Sequence, residues 1–582
     1  RSTNVGRFEK AGAGTMQITG TNSLRGTNLI SGGTLRAGSA QSFGLNAALV
    51  LSNTLGVTAD FFGFDQTIGS LAGGGASGGT VALGTNSMIL GTANTSTSFG
   101  GVISGSGQVT KVGTGTQTFS SANTYTGGTV LNAGGITIGH GRALGTGMLT
   151  FASNSTVLGA SASVTMTNRV AMNANGIVDT ASNSLTLTGL IDGTGRMSKN
   201  GAGVLTLTAT NTYGGGTLMN AGTLALGNSG AAGAGAIQYA GNSTVLALAD
   251  LTLSNNFSIN TGITGVFDSG AFTNTVSGVV SGAGSFGKQG SGKLTLTANN
   301  TWVGTTTVSA GILQIGDGGA TGTLGNTNAN VVVNGTLVFN RTGTNVIANT
   351  ISGTGTLIQE GPGELQLTAV NTHTNTIVNN GSLRLTAGGL AGALRGTLTI
   401  NENGLVIADA HDALGWYNGG ARQKIEYLNI NGGTLRNIWT NDNLTLDGVE
   451  ITMRGGLIDS VATNPIGRID LYAGEAASTL RTLASSNTAE WRGNLRLREN
   501  QPMTVFTVDE GSAATDFLLS ANVVNMDWTG ALSAGKGITK AGAGLMKMSG
   551  NNAYSGATIV SGGTLQAGST TAFGSASPLT LS

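Results

Sequence analysis

Between Lys199 and Gly227 the chain reads KNGAGVLTLTATNTYGGGTLMNAGTLALG, and apolar and polar residues alternate through it with a period of two. In VLTLTA, Leu205 and Leu207 share one face, and Thr206 and Thr208 share the other. LTLTA at 294–298 repeats the arrangement. Such alternation predicts short, half-buried strands, and no long stretch shows the 3.6-residue period of an amphipathic helix. The predicted strands run about four to six residues and stop at GG, GTG, NAG or GAG, where glycine supplies the positive φ that a tight corner needs.

The same paragraph of sequence recurs. Six cores start at Lys10, Lys111, Lys199, Lys288, Gln359 and Lys540: KAGAGTMQITG, KVGTGTQTFSS, KNGAGVLTLTA, KQGSGKLTLTA, QEGPGELQLTA and KAGAGLMKMSG. Each runs through an N-T-Y-T-G-G-T-like turn to a close such as SGGTLRAG (31–38), NAGTLALG (220–227) or SGGTLQAG (561–568). An I-S-G-x-G element precedes several of them, as in VISGSG (102–107) and VVSGAG (279–284). The middle starts lie 88 and 89 residues apart, and NSTVL at Asn154 and Asn242 is again offset by 88. Two markers at one spacing establish a true repeat.

Strand, glycine corner, strand, corner describes a coil winding about an axis. At roughly 20–22 residues per turn, the 88-residue unit makes about four turns. The predicted fold is all-β, a right-handed parallel β-helix or β-solenoid. Coils stacked about 4.8 Å apart would form an elongated rod on the order of 130 Å long. Leu, Val, Ile, Phe and Met fill its interior, Thr, Ser and Asn cover its outside, and internal Asn stack in ladders. Propeller blades repeat at roughly 40–50 residues with aromatic signatures that are missing here.

These residues resemble a known family. K-x-G-x-G-x-L-x-L-x-G, then N-T-Y-x-G-x-T, then A-G-T-L-x-x-G is similar to the autotransporter-associated β-strand repeat, also called the passenger-associated transport repeat. The likeness covers all six cores and, with their flanks, about two thirds of the chain. It implies the β-helical passenger of a large bacterial surface protein, exported through an outer-membrane barrel and often adhesive, and it supplies no catalytic residues. The implied location is extracellular, at the bacterial cell surface, with attachment to the outer membrane through a part absent from this chain. The chain begins and ends inside repeat units, without a charged-then-apolar leader or a closing barrel, so it reads as a piece of something longer.

Composition narrows the function classes. The 582 residues include 100 Gly, 4 Pro and no Cys, with 9% charged residues and a net charge of +1. Hydrophobic residues make up 39%, which separates the chain from disordered sequences of low hydropathy and high charge. Near-zero charge gives no electrostatic footprint for nucleic acid or anionic lipid. No run of 18 apolar residues exists to span a bilayer as a helix, and the lack of Cys removes disulfides and thiolate metal sites.

We divide the chain into a repeat-built β-helix (1–390), a divergent segment (391–530) and a further repeat unit (531–582). Of the 53 charged residues, 25 lie between Glu402 and Asp527, as do four of the five Trp: Trp416, Trp439, Trp491 and Trp528. Two readings of this segment compete. In one, it is a wider stretch of the same solenoid with Trp inside and charges outside. In the other, Trp491, Arg496 and Arg498 form a contact face for a glycan or acidic partner, since exposed aromatics beside Arg are typical anchors.

Chemistry finds little support. Gly139-His140-Gly141-Arg142 superficially resembles the glycine-flanked His of pectin-cleaving β-helix hydrolases, but inverting hydrolysis needs paired carboxylates about 6.5–9.5 Å apart. Within sixty residues of His140, Asp179 and Asp192 are the only acidic residues. Asp442, Asp447, Asp459 and Asp470 would reach one another on successive turns and offer oxygen ligands to Ca²⁺, yet they lack EF-hand or GGxGxD spacing; they read as solvated surface carboxylates. His140, His373 and His411 are too scattered for a metal site. No enzyme activity and no cofactor are expected. Two functions stay open: a non-enzymatic passenger, adhesin or spacer that meets surface glycans or host and neighbouring cell surfaces, and a fibre whose solenoids self-associate head to tail.

Overall fold

A computed structural model of the chain describes residues 6–325, 329–416, 424–461, 467–472, 478–498, 503–525, 535–574 and 578–582. The described residues contain strands, turns and bends but no helix. They are a parallel β-solenoid, and the chain divides into two compact units, Arg1–Phe286 and Gly287–Ser582.

In the first unit, successive strands turn a corner and then pair with the strand one coil earlier. Phe8–Lys10 lies beside Thr27–Ile30, which lies beside Ala48–Leu51, and the pairing continues to Val280–Gly282 in a 14-stranded sheet. A second face runs from Thr15–Ile18 to Val102–Ser104, and a third from Gln66–Ile68 to Ile191–Asp192. All these pairings are parallel and in register: Lys111 faces Leu131, and Leu131 faces Phe151. Coils lie near the expected length, with partners 20 residues apart at Phe8 and Asn28 but 24 apart, two beyond it, at Thr34 and Thr58.

Alternation fixes which side is in. Leu205 and Leu207 are fully buried while Val204 and Thr206 lie at intermediate depth, and Leu224 and Leu226 continue the buried rows in the next coil. Coils approach so closely that side chains have no room at some corners. A Cβ at Gly222, where φ is +72°, would lie 2.4 Å from the Gly201 carbonyl oxygen one coil below. Any other residue there would strain both coils.

The second unit begins in the same manner, with Lys293–Leu296 beside Ile312–Ile315. It then widens. Thr397 pairs with Tyr427, Gly456 with Ala489 and Met503 with Gly537, offsets of 30, 33 and 34 residues. The short coil returns where Ile538 faces Thr558. In the wide coils an additional sheet appears, Leu444–Asp447, Ile469–Tyr472, Asn494–Leu497 and Asn522–Val524, and its first strand is buried on both faces.

Candidate functional site

The polar residues that define the repeat point inward, and they bind the coils to one another. Each leading Lys is buried: Lys10, Lys111, Lys199, Lys288 and Lys540 are all at most 6% exposed. The Lys199 ammonium donates to the carbonyls of Asn200 at 2.8 Å, Gly201 at 2.8 Å and Ala221 at 3.2 Å, and to the Thr180 hydroxyl at 2.9 Å. Lys111 donates to Val112, Gly113 and Ala133. Lys540 donates to Ala541, Gly542 and Gly562. The lysine therefore clips its own glycine turn to the A-G turn of the following coil. Burial lowers the pKa of Lys111 and of Lys199 to about 8, the second against the pull of Asp179. In the fifth core Gln359 takes this place and donates to Gly361 at 2.7 Å and Gly363 at 3.0 Å.

The Asn of N-T-Y bridges three coils. The Asn211 side-chain carbonyl accepts from the Ile191 amide one coil earlier (2.8 Å), and its NH₂ donates to Ala231 one coil later (2.7 Å). Asn123, Asn371 and Asn552 do the same. These buried Asn bond to backbone rather than stacking on each other as expected. Asn side chains do bond to one another nearer the surface, where Asn431 donates to Asn401 and Asn401 to Asn379. The aromatic two residues after the Asn is buried and bonded to a Thr: Tyr125 to Thr129, Tyr213 to Thr217, Trp302 to Thr306 and Tyr554 to Thr558. In the fifth core His373 replaces it, bonded to Thr376 at 2.8 Å, and burial lowers its pKa to about 4. A buried polar group favours a partner, and in these five repeats the hydroxyl or ring nitrogen finds it on a Thr of the stack.

Of the two readings of this segment, the contact face does not match where Trp491 and Arg496 lie. Trp491 is fully buried on the strand Ala489–Arg492, in register between Ile458 and Leu519 in the core. Alternation turns Ala489 and Trp491 inward and leaves Arg492 exposed. Arg496 is also buried, and its Nε donates to Asp470 at 2.9 Å. Arg498 does gather with Arg496, as their spacing predicts, but around Asp470: it lies 3.8 Å from that carboxylate and 4.6 Å over the Tyr472 ring. Arg468 joins them at 3.4 Å. Burial pushes the Asp470 carboxyl up, and the three guanidiniums oppose that shift. Trp416 and Trp439 are half-buried, and Trp528 lies outside the described residues.

The four carboxylates singled out in the sequence do not converge, and three of them are not solvated. Asp447 is buried 3.6 Å from Lys424, and Asp459 is buried between Arg436 and Arg492 at 3.0 and 2.9 Å. Asp442 alone of the four is half-buried, 3.3 Å from His411. Asp447 and Asp470 lie on the additional sheet, at positions that it buries, and a buried charge persists only with a partner. His140 serves its turn, its Nδ1 accepting from the Arg142 amide at 3.0 Å.

A framework of stacked parallel coils, with repeat residues consumed in coil-to-coil bonds, defines a repeat-built β-solenoid protein. Its cores are passenger-associated-transport repeats: the model of that family matches residues 8–37, 109–138, 197–226, 286–315, 357–385 and 538–567. The chain is also 30% identical to the adhesin BmaC autotransporter of Brucella suis biovar 1 (strain 1330) over 450 residues, 60% of this chain. It spans 13% of that relative's length. No solved structure matches it. These likenesses place the chain among autotransporter passengers.

Proposed function

We propose that the chain is an adhesive stretch of a surface-displayed passenger, carried outside a bacterium and held to the outer membrane by another part of its protein. The observation that carries this reading is the use of the repeat's Lys, Asn and Tyr side chains. They sit inside and secure the coils, which leaves the outward Thr, Ser, Asn and Arg side chains and the corner loops as the working surface. The relative named an adhesin supports the same role. Outward positions recur on every coil, so individually weak contacts would add by multivalency. The proposed partners are glycans and the surfaces of host or neighbouring cells.

The test is a bead assay. Beads coated with the purified chain should adhere to cultured epithelial cells well above beads coated with albumin, and free chain should compete. Adhesion equal to that of the albumin beads would end the adhesive reading and leave a spacer.

A further inference from the structure

Among the described residues only three aromatics are strongly exposed: Phe62 at 54%, Phe64 at 37% and Tyr427 at 45%. Two of these share one corner, FFGFD at 61–65, which follows the strand Thr58–Asp60. Its geometry is unusual. Phe62 has a φ of +36°, a left-handed backbone that a bulky residue adopts only at a cost, and such strain concentrates at functional sites. Gly63 follows it with φ of +91° and open space where a Cβ would be, so the corner projects into solvent.

The corner is also braced. Asp60 accepts the Phe62 amide at 3.1 Å through one oxygen and Arg36 Nε at 2.9 Å through the other. The Phe64 amide donates to Phe61 at 3.0 Å, and Phe61 is anchored in the core against Phe43, ring centroids 5.7 Å apart. Arg36 lies 4.0 Å from the centroid of the Phe62 ring. Arg36, Asp60 and Ala82 are in register across three coils, so the corner leaves the stack directly after its last paired residue, Asp60.

We propose that this corner is a sugar-binding site, with Phe62 and Phe64 stacking on the C–H face of a pyranose while Arg36 donates to its hydroxyls. A solvent-facing aromatic beside a fixed guanidinium offers what a sugar ring needs, an apolar face and directed hydrogen bonds. Two aromatic side chains fall far short of the roughly 800 Å² that a stable protein partner covers, which favours a glycan over a protein surface. The proposal rests on the adhesive reading above and names where that reading's contact is made.

Saturation-transfer difference NMR with methyl β-D-galactopyranoside, methyl β-D-glucopyranoside and methyl N-acetyl-β-D-glucosaminide tests it. At least one glycoside should show transfer strongest at the protons of one ring face. Phe62→Ala with Phe64→Ala should reduce that signal at least tenfold, and Tyr427→Ala should leave it unchanged. Phe62→Gly relieves the left-handed strain, so it should melt no lower than the parent and still lose signal, which separates binding from folding. No transfer from any of the three sugars, or transfer that survives the double substitution, overturns the site. In the bead assay, unchanged adhesion by the double variant removes this site but spares the adhesive reading, whereas no adhesion by the parent removes the reading itself.

Discussion

Replacing Lys199 by Met, one atom shorter, keeps an unbranched apolar stem and removes the clip. Four acceptors lose their donor: the carbonyls of Asn200, Gly201 and Ala221, and the Thr180 hydroxyl. The ammonium has three protons to share among these four acceptors, and at about 2 kcal/mol for each charged hydrogen bond the set contributes roughly 6 kcal/mol. Against this stands the cost of keeping an ammonium buried. Its pKa of about 8 rather than 10.5 corresponds to about 3 kcal/mol in favour of the neutral form. The net loss is therefore about 3 kcal/mol.

In a solenoid each coil contacts its neighbours alone, so the loss should be local. Hydrogen exchange read by mass spectrometry should show amides of 197–207 and 217–226 exchanging about 100-fold faster, while those of 129–138 stay as they were. Lys547→Met, on the half-buried outer side of its strand, is the control and should change little. Lys199→Met with exchange within a factor of two of the parent would show the clip to be incidental.

Three further outcomes follow from the buried polar groups. Asn211→Ala removes one acceptor and one donor that span three coils and should cost about 2–3 kcal/mol, read as faster exchange at Ile191 and in the coil of Ala231. Asp470→Asn leaves Arg496 buried without its counter-charge and should lower stability by about 3–5 kcal/mol, whereas Asp470→Leu with Arg496→Met should recover much of it in a denaturation series. His373 is held neutral, with a native pKa of about 4 against an ordinary 6.5. The unfolded chain therefore binds the extra proton first, and stability, complete above pH 6.5, falls as pH drops toward 4. His373→Tyr, which restores the residue found at 125, 213 and 554, should remove that acid-dependent loss from exchange at 375–385.

Much of this architecture was legible from the chain. Strand alternation in VLTL and LTLT gave the buried rows directly, and the 88-residue period with its glycine corners gave the stacked coil. Two features were not. The repeated Lys marked where each core begins, but a cation reads as exterior until one sees three carbonyls converging on it. Its fixed place in five of six cores was the available signal. The segment around Trp491 left two readings open for a different reason. In EWRGNLRLREN a period of two says which residues share a face, and it cannot say which face is covered. Once coils lengthen to about thirty residues and add a sheet buried on both sides, Arg496 lies inside as firmly as Leu495. The Phe62 corner gave no sign in periodicity at all, since its exposure follows from a single left-handed residue.

The central claim is that neighbouring coils stack parallel and in register, and disulfide trapping tests it most directly because the chain has no Cys of its own. Ser184 faces Val204 and Thr186 faces Thr206 on an outward side. Oxidation should link Cys pairs placed at 184 with 204 and at 186 with 206, and should leave 184 with 208 unlinked. Efficient linkage of 184 with 208 alongside 186 with 206 would mean antiparallel neighbours and would contradict the account.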